Sequence, residues 1–298
     1  MAISAADASA PPDLMPRPRQ RVSGITFDAL RRDEAVRVCC TAIERDKPIT
    51  IGVVNAAKIV NMRSDALLAE SVTGADMVLA DGQSVVWASR ILRRPLPERV
   101  AGIDLFVDLL AAAERIGVGV YFLGATDEVL DRMLERVRAD YPALSISGAH
   151  NGYFDLATEG AGVAEEIKRT GARMLFVGMT SPRKEIFLAE HGDATGTVLR
   201  HGVGGSFDVL AGLTKRAPAW VQRLGLEWLY RLLQEPRRLF RRYAVTNTVY
   251  IGLVAHELLN PDRVGAPSDT SSSASPTPRV PTTELPDALP MTRTGRAG

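Results

Sequence analysis

The chain has 298 residues, 46% hydrophobic composition and a formal net charge of +1, which together favour one sizeable core with additions over two full domains. Its only cysteines, Cys39 and Cys40, are adjacent in a helical pattern, so they predict neither a disulfide framework nor a cysteine metal site and favour a reducing cytosol. We expect no nucleic-acid partner.

The chain opens with an Ala-, Pro-, Ser- and Arg-rich stretch, residues 1–22, that lacks the uninterrupted apolar segment of a secretion signal. We expect this stretch to be a disordered leader. Apolar residues near helical spacing then predict a helix over Phe27–Arg45. A strand is predicted at Ile49–Val54, and it ends at Asn55.

Strand and helix patterns alternate through the next 150 residues. Further strands are predicted at Asp76–Ala80, Val118–Leu123, Leu144–Ser147, Arg173–Val177 and Thr197–His201. Amphipathic helical stretches lie between them. This alternation predicts a Rossmann-like α/β core over residues 23–214, with a mostly parallel sheet covered by helices on both faces.

Right-handed crossovers place the carboxyl ends of parallel strands on one rim of a sheet, where ligands bind in such folds. The segments that follow the predicted strands are therefore expected to converge there: Asn55, Asp81, Thr126, Ser181 and the loop 202–206. That rim is the predicted active site.

Asp81 follows an apolar run directly and stands beside Gly82, at the point where a strand stops and a helix begins. A carboxylate at that edge, with a glycine that lets another molecule approach, is well placed to take a proton. The alternative is that Asp81 only caps the following helix. Asp104 and Asp208 are rival carboxylates, for which we expect structural roles.

A second rim segment carries positive charge. Ser181 can cap a helix and Pro182 fits its first position, which puts Arg183 and Lys184 in the first turn. Cations there oppose the helix dipole, and a bound phosphate or carboxylate would reverse the mismatch. The alternative is that both side chains point into solvent.

A glycine-rich loop lies on the same rim. Backbone N–H groups at Gly204, Gly205 and Ser206 could cradle a phosphate or a nucleoside. Phe207 occupies the place of the third glycine in a GxGxxG pattern, which argues against an NAD-dependent enzyme.

A basic, amphipathic segment at residues 215–260 is predicted to form a helical appendage. Lys215 to Arg242 contains eight basic residues against two acidic residues, an excess of six positive charges, and Pro236 should end one helix and start another. Val245–Leu259 is apolar but shorter than the roughly 20 residues of a spanning helix, so it could lie on a membrane or pack on the core. Four apolar residues recur at four-residue intervals and predict one stripe: Trp220, Leu224, Trp228 and Leu232.

The remaining residues, 261–298, are rich in Pro, Ser and Thr and predict a disordered tail. The four histidines show no paired metal spacing. His150 and His201, at strand ends, are the two with a possible site role.

Several short motifs, taken together in their order, resemble the WecG/TagA/CpsF family of bacterial glycosyltransferases: VVNAAKIV, LADGQSVV, LPERVAGIDL, VYFLGAT, YPALSISGAHNGYF, FVGMTSPRKE, GVGGSFDVLAG and KRAPAWVQRLGLEWLYRLLQEPRRLFRRY. The resemblance covers roughly Ile49–Tyr243, and the last run is its most specific part. It implies a metal-independent, inverting transfer of a sugar, of N-acetylmannosamine type or a hexose, from a UDP donor to a polyprenyl-diphosphate-linked acceptor in cell-surface or exopolysaccharide biosynthesis. It also implies a cytoplasmic protein held peripherally at the anionic inner face of the cytoplasmic membrane.

The resemblance also assigns roles to residues. The family's catalytic aspartate falls on Asp81 and its substrate-contacting asparagine on Asn55, while Arg99 in the ERVAG motif is an expected substrate-binding residue. The arginines of the appendage that closes over the site fall on Arg231, Arg238 and Arg241.

Three departures from relatives leave both sugars undetermined. Val53 stands where some relatives have threonine, Lys184 where many have glutamine, and Ala101 where the motif reads ERVTG.

The expected reaction develops negative charge on departing UDP, which must be neutralised. The sequence has no Asp-x-Asp element to hold a metal, so we expect arginines to supply the positive charge, with no metal and no cofactor. Rival hypotheses are a nucleotide-sugar epimerase-like enzyme and a non-catalytic membrane-surface adaptor. The sequence leaves the oligomeric state open, although exposed apolar anchors would favour a partner surface such as that of a homo-oligomer.

Overall fold

The computed structural model describes residues 17–223, 225–234 and 236–260, without the side chains at positions 219, 223, 231, 237–239 and 241–243. Leu224, Glu235, residues 1–16 and the expected tail at 261–298 lie outside this description. The chain folds as predicted into an α/β core with a parallel sheet between helical layers.

A hairpin precedes the sheet, which differs from the sequence prediction. Strands β1 (Arg19–Val22) and β2 (Ile25–Asp28) pair antiparallel. Ser23 and Gly24 both have positive φ and form the two-residue turn that suits such a hairpin. The disordered leader expected over residues 1–22 is therefore wrong for Arg19–Val22, which form β1. The first helix begins after the hairpin, because Phe27 belongs to β2.

Six strands form the main sheet, in the order β4-β3-β8-β7-β5-β6, and every neighbouring pair is parallel. Their bounds are β3 Ile49–Val54, β4 Met77–Ala80, β5 Val120–Gly124, β6 Ile146–His150, β7 Met174–Gly178 and β8 Leu199–Gly202. The six predicted strands are thus confirmed, with shifts at their ends. The main shift is at β6, which runs through Gly148 to His150 instead of ending at Ser147. Gly148 is a strand residue here and not a turn residue, because a Cβ at this position would lie 2.6 Å from the ring of Tyr121, its partner on β5.

Helices cover both faces of this sheet. In chain order the first nine are α1 Arg32–Glu44, α2 Ala56–Met62, α3 Ala66–Thr73, α4 Gln83–Ile91, α5 Gly102–Ile116, α6 Asp127–Asp140, α7 Leu156–Arg169, α8 Arg183–His191 and α9 Ser206–Leu210. Successive residues of a strand point to opposite faces of the sheet. On one face Ile51 and Leu79 pack with α1, α5 and α6. On the other face Val54 and Ala80 pack with α2, α3 and α4. On the second face, α7 and α8 cover the other half of the sheet.

The appendage consists of α10 (Ala219–Arg223), α11 (Glu227–Gln234) and α12 (Pro236–Leu259), so the helix boundary predicted at Pro236 is confirmed. The predicted single stripe is wrong, because Gly225, with φ of +72°, separates α10 from α11 and puts Trp220 and Trp228 on different helices. No helix within the described ranges is both long and apolar enough to cross a bilayer.

The last helix packs on the core rather than standing away from it. Tyr250 and Val254 of α12 are buried in the cluster that also holds α2 and the hairpin. Glu257 accepts a hydrogen bond from the backbone N–H of Ser23 at 2.8 Å and pairs with Arg94 at 2.7 Å. One face of α12 is therefore part of the folded core.

Candidate active site

Asp81 and Asn55 are neighbours because they follow the adjacent strands β4 and β3. The backbone N–H of Asp81 donates to the Val54 carbonyl at 2.9 Å, which extends the parallel ladder by one bond. A Cβ at Gly82 would lie only 3.1 Å from that of Asn55. The glycine thus lets the two loops approach closely, and the rim brings these two predicted residues together.

The Asp81 carboxylate is held at the start of α5. Its Oδ1 accepts a hydrogen bond from the Gly102 N–H at 3.2 Å, and α5 has no side-chain cap of its own at Ala101. The positive end of this 15-residue helix stabilises negative charge on the carboxylate. Asp81 does not cap α4, the helix that follows it, so the capping alternative raised by the sequence is wrong for that helix. Its Oδ2 has no partner among the described residues.

Asn55 is fixed in a different way. Its Oδ1 accepts a hydrogen bond from the Lys58 backbone N–H at 3.0 Å and caps α2. The amide nitrogen is then the part of the side chain that can donate to a bound molecule.

A buried histidine supports the backbone that holds Asp81. The Nε2 atom of His201 lies 3.2 Å from the Gly102 carbonyl, and the ring has no exposed surface. Burial lowers the pKa of His201 to about 4, so the imidazole is neutral near pH 7 and donates through Nε2. This contact gives His201 a structural role beneath the start of α5.

Two lysines and one glutamate form a buried network beside Asn55. Lys58 Nζ donates to the Val53 carbonyl at 2.7 Å and to Glu185 Oε1 at 2.9 Å. The same Glu185 oxygen accepts from the Ser181 hydroxyl at 2.7 Å and lies 2.7 Å from Lys184 Nζ. The network joins α2, which follows β3, to α8, which follows β7, although 127 residues separate Lys58 from Glu185.

The charges in this network are strongly coupled. Burial and the neighbouring ammonium of Lys58 lower the pKa of Lys184 to about 8, although Glu185 and Asp81 act in the opposite direction. Burial alone would raise the pKa of Glu185, but both lysines outweigh it and hold that pKa at about 2. At neutral pH two cations therefore share one carboxylate, and Asp81 is close enough to act on Lys184.

The predicted helix start at Ser181 needs a correction. Lys184 does lie in the first turn of α8, but Ser181 does not cap the helix. Its hydroxyl accepts from Lys184 Nζ at 2.6 Å and donates to Glu185 instead. Lys184 is also buried rather than pointing into solvent, so the solvent-exposed alternative is wrong for this side chain.

The glycine-rich loop lies against Lys184. A Cβ at Gly202 would lie 3.1 Å from Lys184 Cδ, and one at Gly204 would lie 4.0 Å from its Cε. Gly204 has a positive φ of 54°, and Gly205 precedes the short helix α9. The Ser206 hydroxyl donates to the Val203 carbonyl at 2.7 Å, which leaves backbone groups as the main polar surface of the loop.

A cavity of about 560 Å³ opens on the sheet face between α3 and α8. Its walls include Lys58, Lys184, Glu185 and Gly202, but neither Asp81 nor Asn55. Its volume falls in the range of small-molecule sites. The network thus stands between this cavity and the Asp81–Asn55 rim.

Part of the predicted rim stays apart from this group. Thr126 follows β5, two strands beyond β8 in the sheet order, and its hydroxyl caps α6 by accepting from the Val129 N–H at 3.4 Å. Across residues 17–260, where the structure describes them, no three His, Cys, Asp or Glu side chains group as metal ligands.

The first part of the appendage, up to the start of α11, contacts the core through charged side chains. Arg99 Nη1 donates to Glu227 Oε2 at 2.9 Å, and Arg216 Nη1 donates to Asp104 Oδ1 at 2.6 Å. Arg216 Nε also lies 3.8 Å from Glu227 Oε1. Burial disfavours the charge on Arg216, but Asp104, Glu227 and Asp81 outweigh it and raise the pKa of the guanidinium. The rival base Asp104 is therefore occupied by arginine.

The structure gives no side-chain contacts for the three appendage arginines that the resemblance assigns to the site. The side chains of Arg231, Arg238 and Arg241 lie outside the described residues. Sequence reasoning missed Lys58, Glu185, Arg216 and Glu227. The only available signal was their charge within the quoted motifs, because each pairs with a residue far away in the chain.

Comparison with known proteins identifies the family to which this chain is similar. The model of the glycosyl transferase WecG/TagA/CpsF family matches residues 20–264. The chain is also 37% identical over 197 residues to N-acetylglucosaminyldiphosphoundecaprenol N-acetyl-beta-D-mannosaminyltransferase of Bacillus spizizenii (strain ATCC 23059 / NRRL B-14472 / W23), covering 66% of this chain and 74% of the relative. The match includes the hairpin, the sheet and the appendage, so this chain belongs to the WecG/TagA/CpsF family of glycosyltransferases.

Proposed function

We propose that this glycosyltransferase moves a sugar, of N-acetylmannosamine type or a hexose, from a UDP donor to a polyprenyl-diphosphate-linked saccharide with inversion. Family membership supports the reaction class. The name of the Bacillus relative describes transfer of N-acetylmannosamine to a diphosphoundecaprenol-linked sugar, and it supports this choice of donor sugar and acceptor.

The observation that carries the proposal is the setting of Asp81. One carboxylate oxygen is held by the Gly102 N–H at the start of α5, which orients the group and leaves Oδ2 for an acceptor hydroxyl. A base in hydrogen-bond reach of that hydroxyl removes its proton as the oxygen attacks the anomeric carbon of the donor. Asn55, beside it on the next strand, can donate its amide N–H groups to the same substrates.

Positive charge for the leaving group has two sources in this proposal. Lys184 is buried and Lys58 is largely enclosed, and the only carboxylate in their network is that of Glu185. A diphosphate near these two cations would be stabilised in a site of low dielectric. Arg231, Arg238 and Arg241 are the second source, by resemblance. Arg99 can contribute the N–H groups that Glu227 does not use.

The Gly204, Gly205 and Ser206 loop is proposed to contact the donor through its backbone. Lys184 lies against this loop and also lines the cavity between α3 and α8. A donor that bridges the loop and the cavity mouth would therefore place its diphosphate beside Lys184.

We also propose that the appendage holds the protein at the cytoplasmic face of an anionic membrane. Large apolar side chains are exposed on its helices: Trp220, Trp228, Leu233, Phe240, Val245, Val249, Ile251, Leu258 and Leu259. A patch of this kind, next to the basic residues of the same segment, fits an anionic lipid surface. The same patch could instead serve a homo-oligomer, which vesicle binding and sedimentation together would distinguish.

The test is a UDP-release assay with a panel of UDP-sugars, with and without a polyprenyl-diphosphate-linked saccharide. We expect release that requires both substrates and that survives exhaustive chelation, because lysines and arginines supply the charge. Conversion of the donor sugar without acceptor would indicate an epimerase-like enzyme. A strict requirement for added magnesium or manganese would overturn the metal-independent part of the proposal.

A further inference from the structure

Four charged side chains join the core to the first part of the appendage and form a compact group, here called the charge clasp: Arg99, Asp104, Arg216 and Glu227. Two guanidinium groups face two carboxylates, so their formal charges cancel. Arg99 and Glu227 are the most enclosed pair, with side-chain exposures of 14% and 12%. Such a pair is harder to screen or replace with water than a surface ion pair.

Both ends of the charge clasp lie next to the Asp81 loop. On the core side, Asp104 follows by two residues the Gly102 N–H that binds Asp81. On the appendage side, Gly225 packs so closely on Gln83, two residues after Asp81, that a Cβ at position 225 would overlap the Gln83 side chain. The appendage is therefore seated on the residues that position the proposed base.

Glu227 is also the first residue of α11. Arg231 lies one turn later on the same helix, so a shift of Glu227 would move the segment that carries this proposed donor-binding residue. The charge clasp thus connects two parts of the proposed site, Asp81 on the core and Arg231 on the appendage.

We propose that Glu227 is a positioning residue for sugar transfer: by pairing with Arg99 and Arg216 it seats the appendage over Asp81 and completes the active site. This inference rests on the transfer reaction proposed above. Glu227 itself need not touch either substrate. Its removal leaves the enclosed Arg99 without its nearest carboxylate, which favours separation of α10 and α11 from the core while α12 stays packed on it.

The experiment uses the full chain with Glu227→Gln, Arg99→Gln and the double variant. Asp108→Asn is the matched control. Asp108 lies on α5, like Asp104, but its partner at 2.8 Å is Arg32 of α1, which belongs to the core and not to the appendage. Initial rates give kcat and KM for the UDP-sugar. Limited trypsin digestion at Lys215 and Arg216 reports whether the appendage is seated, whether or not the protein transfers sugar.

We expect Glu227→Gln to lower kcat about 100-fold, as for a misplaced catalytic segment, to change KM less, and to speed cleavage at residues 215–216. The loss of kcat in the double variant should be no larger than in the worse single variant, because the two single changes remove the same Arg99–Glu227 contact. Asp108→Asn should match wild type in cleavage and kcat.

Unchanged cleavage of Glu227→Gln would overturn the inference, as would additive losses in the double variant. A lower KM with unchanged kcat would also overturn it, because Glu227 would then be a competitor of the donor for Arg99. If wild type transfers no sugar, the proposed function fails, while the cleavage pattern still decides whether the charge clasp seats the appendage.

Discussion

Lys184 is a buried cation whose charge changes just above neutral pH. Its pKa is lowered to about 8 by burial and by Lys58, so the ammonium is lost as pH rises through that value. A lysine in solution would keep its charge to about pH 10.4. Donor binding that depends on this cation should therefore weaken in mildly alkaline solution.

We predict that kcat/KM for the UDP-sugar falls as pH rises through about 8, since this ratio reports the free enzyme. Lys184→Gln should show a lower kcat/KM at pH 7 and a flatter profile between pH 7 and 9. Lys184→Arg should keep its charge across that range. An unchanged alkaline limb in Lys184→Gln would assign the titration to another group.

His201 predicts a pH effect on stability. Its pKa falls from an ordinary 6.5 to about 4 in the folded protein, so between these values the unfolded chain takes up a proton that the folded chain does not. Stability from the neutral ring is complete above pH 6.5 and is lost as pH falls towards 4.

We expect the free energy of unfolding of wild type to drop by about 1 kcal/mol per pH unit from this residue between pH 6 and 4.5. His201→Gln can still donate to the Gly102 carbonyl but does not titrate. Urea unfolding at several pH values should give a shallower slope for this variant, and equal slopes would contradict the account.

The turn between α10 and α11 is the element on which the seating of the appendage depends. Gly225 has a positive φ of 72°, which a side chain disfavours, and it packs on Gln83. The turn follows α10 directly and precedes Glu227, the charge clasp residue that begins α11.

Gly225→Ala should therefore lower turnover by roughly tenfold or more through strain of about 1 kcal/mol at positive φ and contact with Gln83. Gly252→Ala is its control, because Gly252 lies inside α12 with no atom near its missing Cβ. That change should keep full turnover and be neutral or slightly stabilising. Equal effects of the two substitutions would argue against the turn's role.

The elements show what sequence patterns can and cannot predict. Apolar runs and turn residues predicted all six sheet strands, and the handedness of crossovers predicted that Asp81 and Asn55 meet. The hairpin was missed because Arg19–Val22 is short and mixes charged with apolar residues. The pairs Lys58–Glu185 and Arg99–Glu227 join residues more than 120 positions apart, so no local pattern could predict them.

In the whole molecule, one face of α12 packs on the core, and its opposite face exposes apolar side chains such as Ile251 and Leu258. Tyr250 and Val254 are buried against the core, so cutting the chain after residue 214 would uncover apolar surface as well as remove the appendage. Substitutions on the exposed face are the sharper test of membrane binding.

We predict that Ile251→Ser with Leu258→Ser weakens binding to vesicles containing anionic lipid by tenfold or more, since each buried apolar side chain contributes about 1.5–3 kcal/mol. Turnover with a soluble acceptor analogue should stay near wild type. Ile91→Ser, at an exposed apolar site on α4, is the control. Unchanged vesicle binding by the double variant would assign this face to another partner.

The central claim is that Asp81 is the base of an acceptor-dependent sugar transfer, and the most direct measurement is acceptor-dependent UDP release by Asp81→Asn. We predict a kcat roughly 10²–10⁴-fold below wild type, with UDP binding and thermal unfolding close to wild type. Asp208→Asn, at the rival carboxylate, should keep near-normal turnover. Near-normal turnover by a folded Asp81→Asn protein would contradict the account.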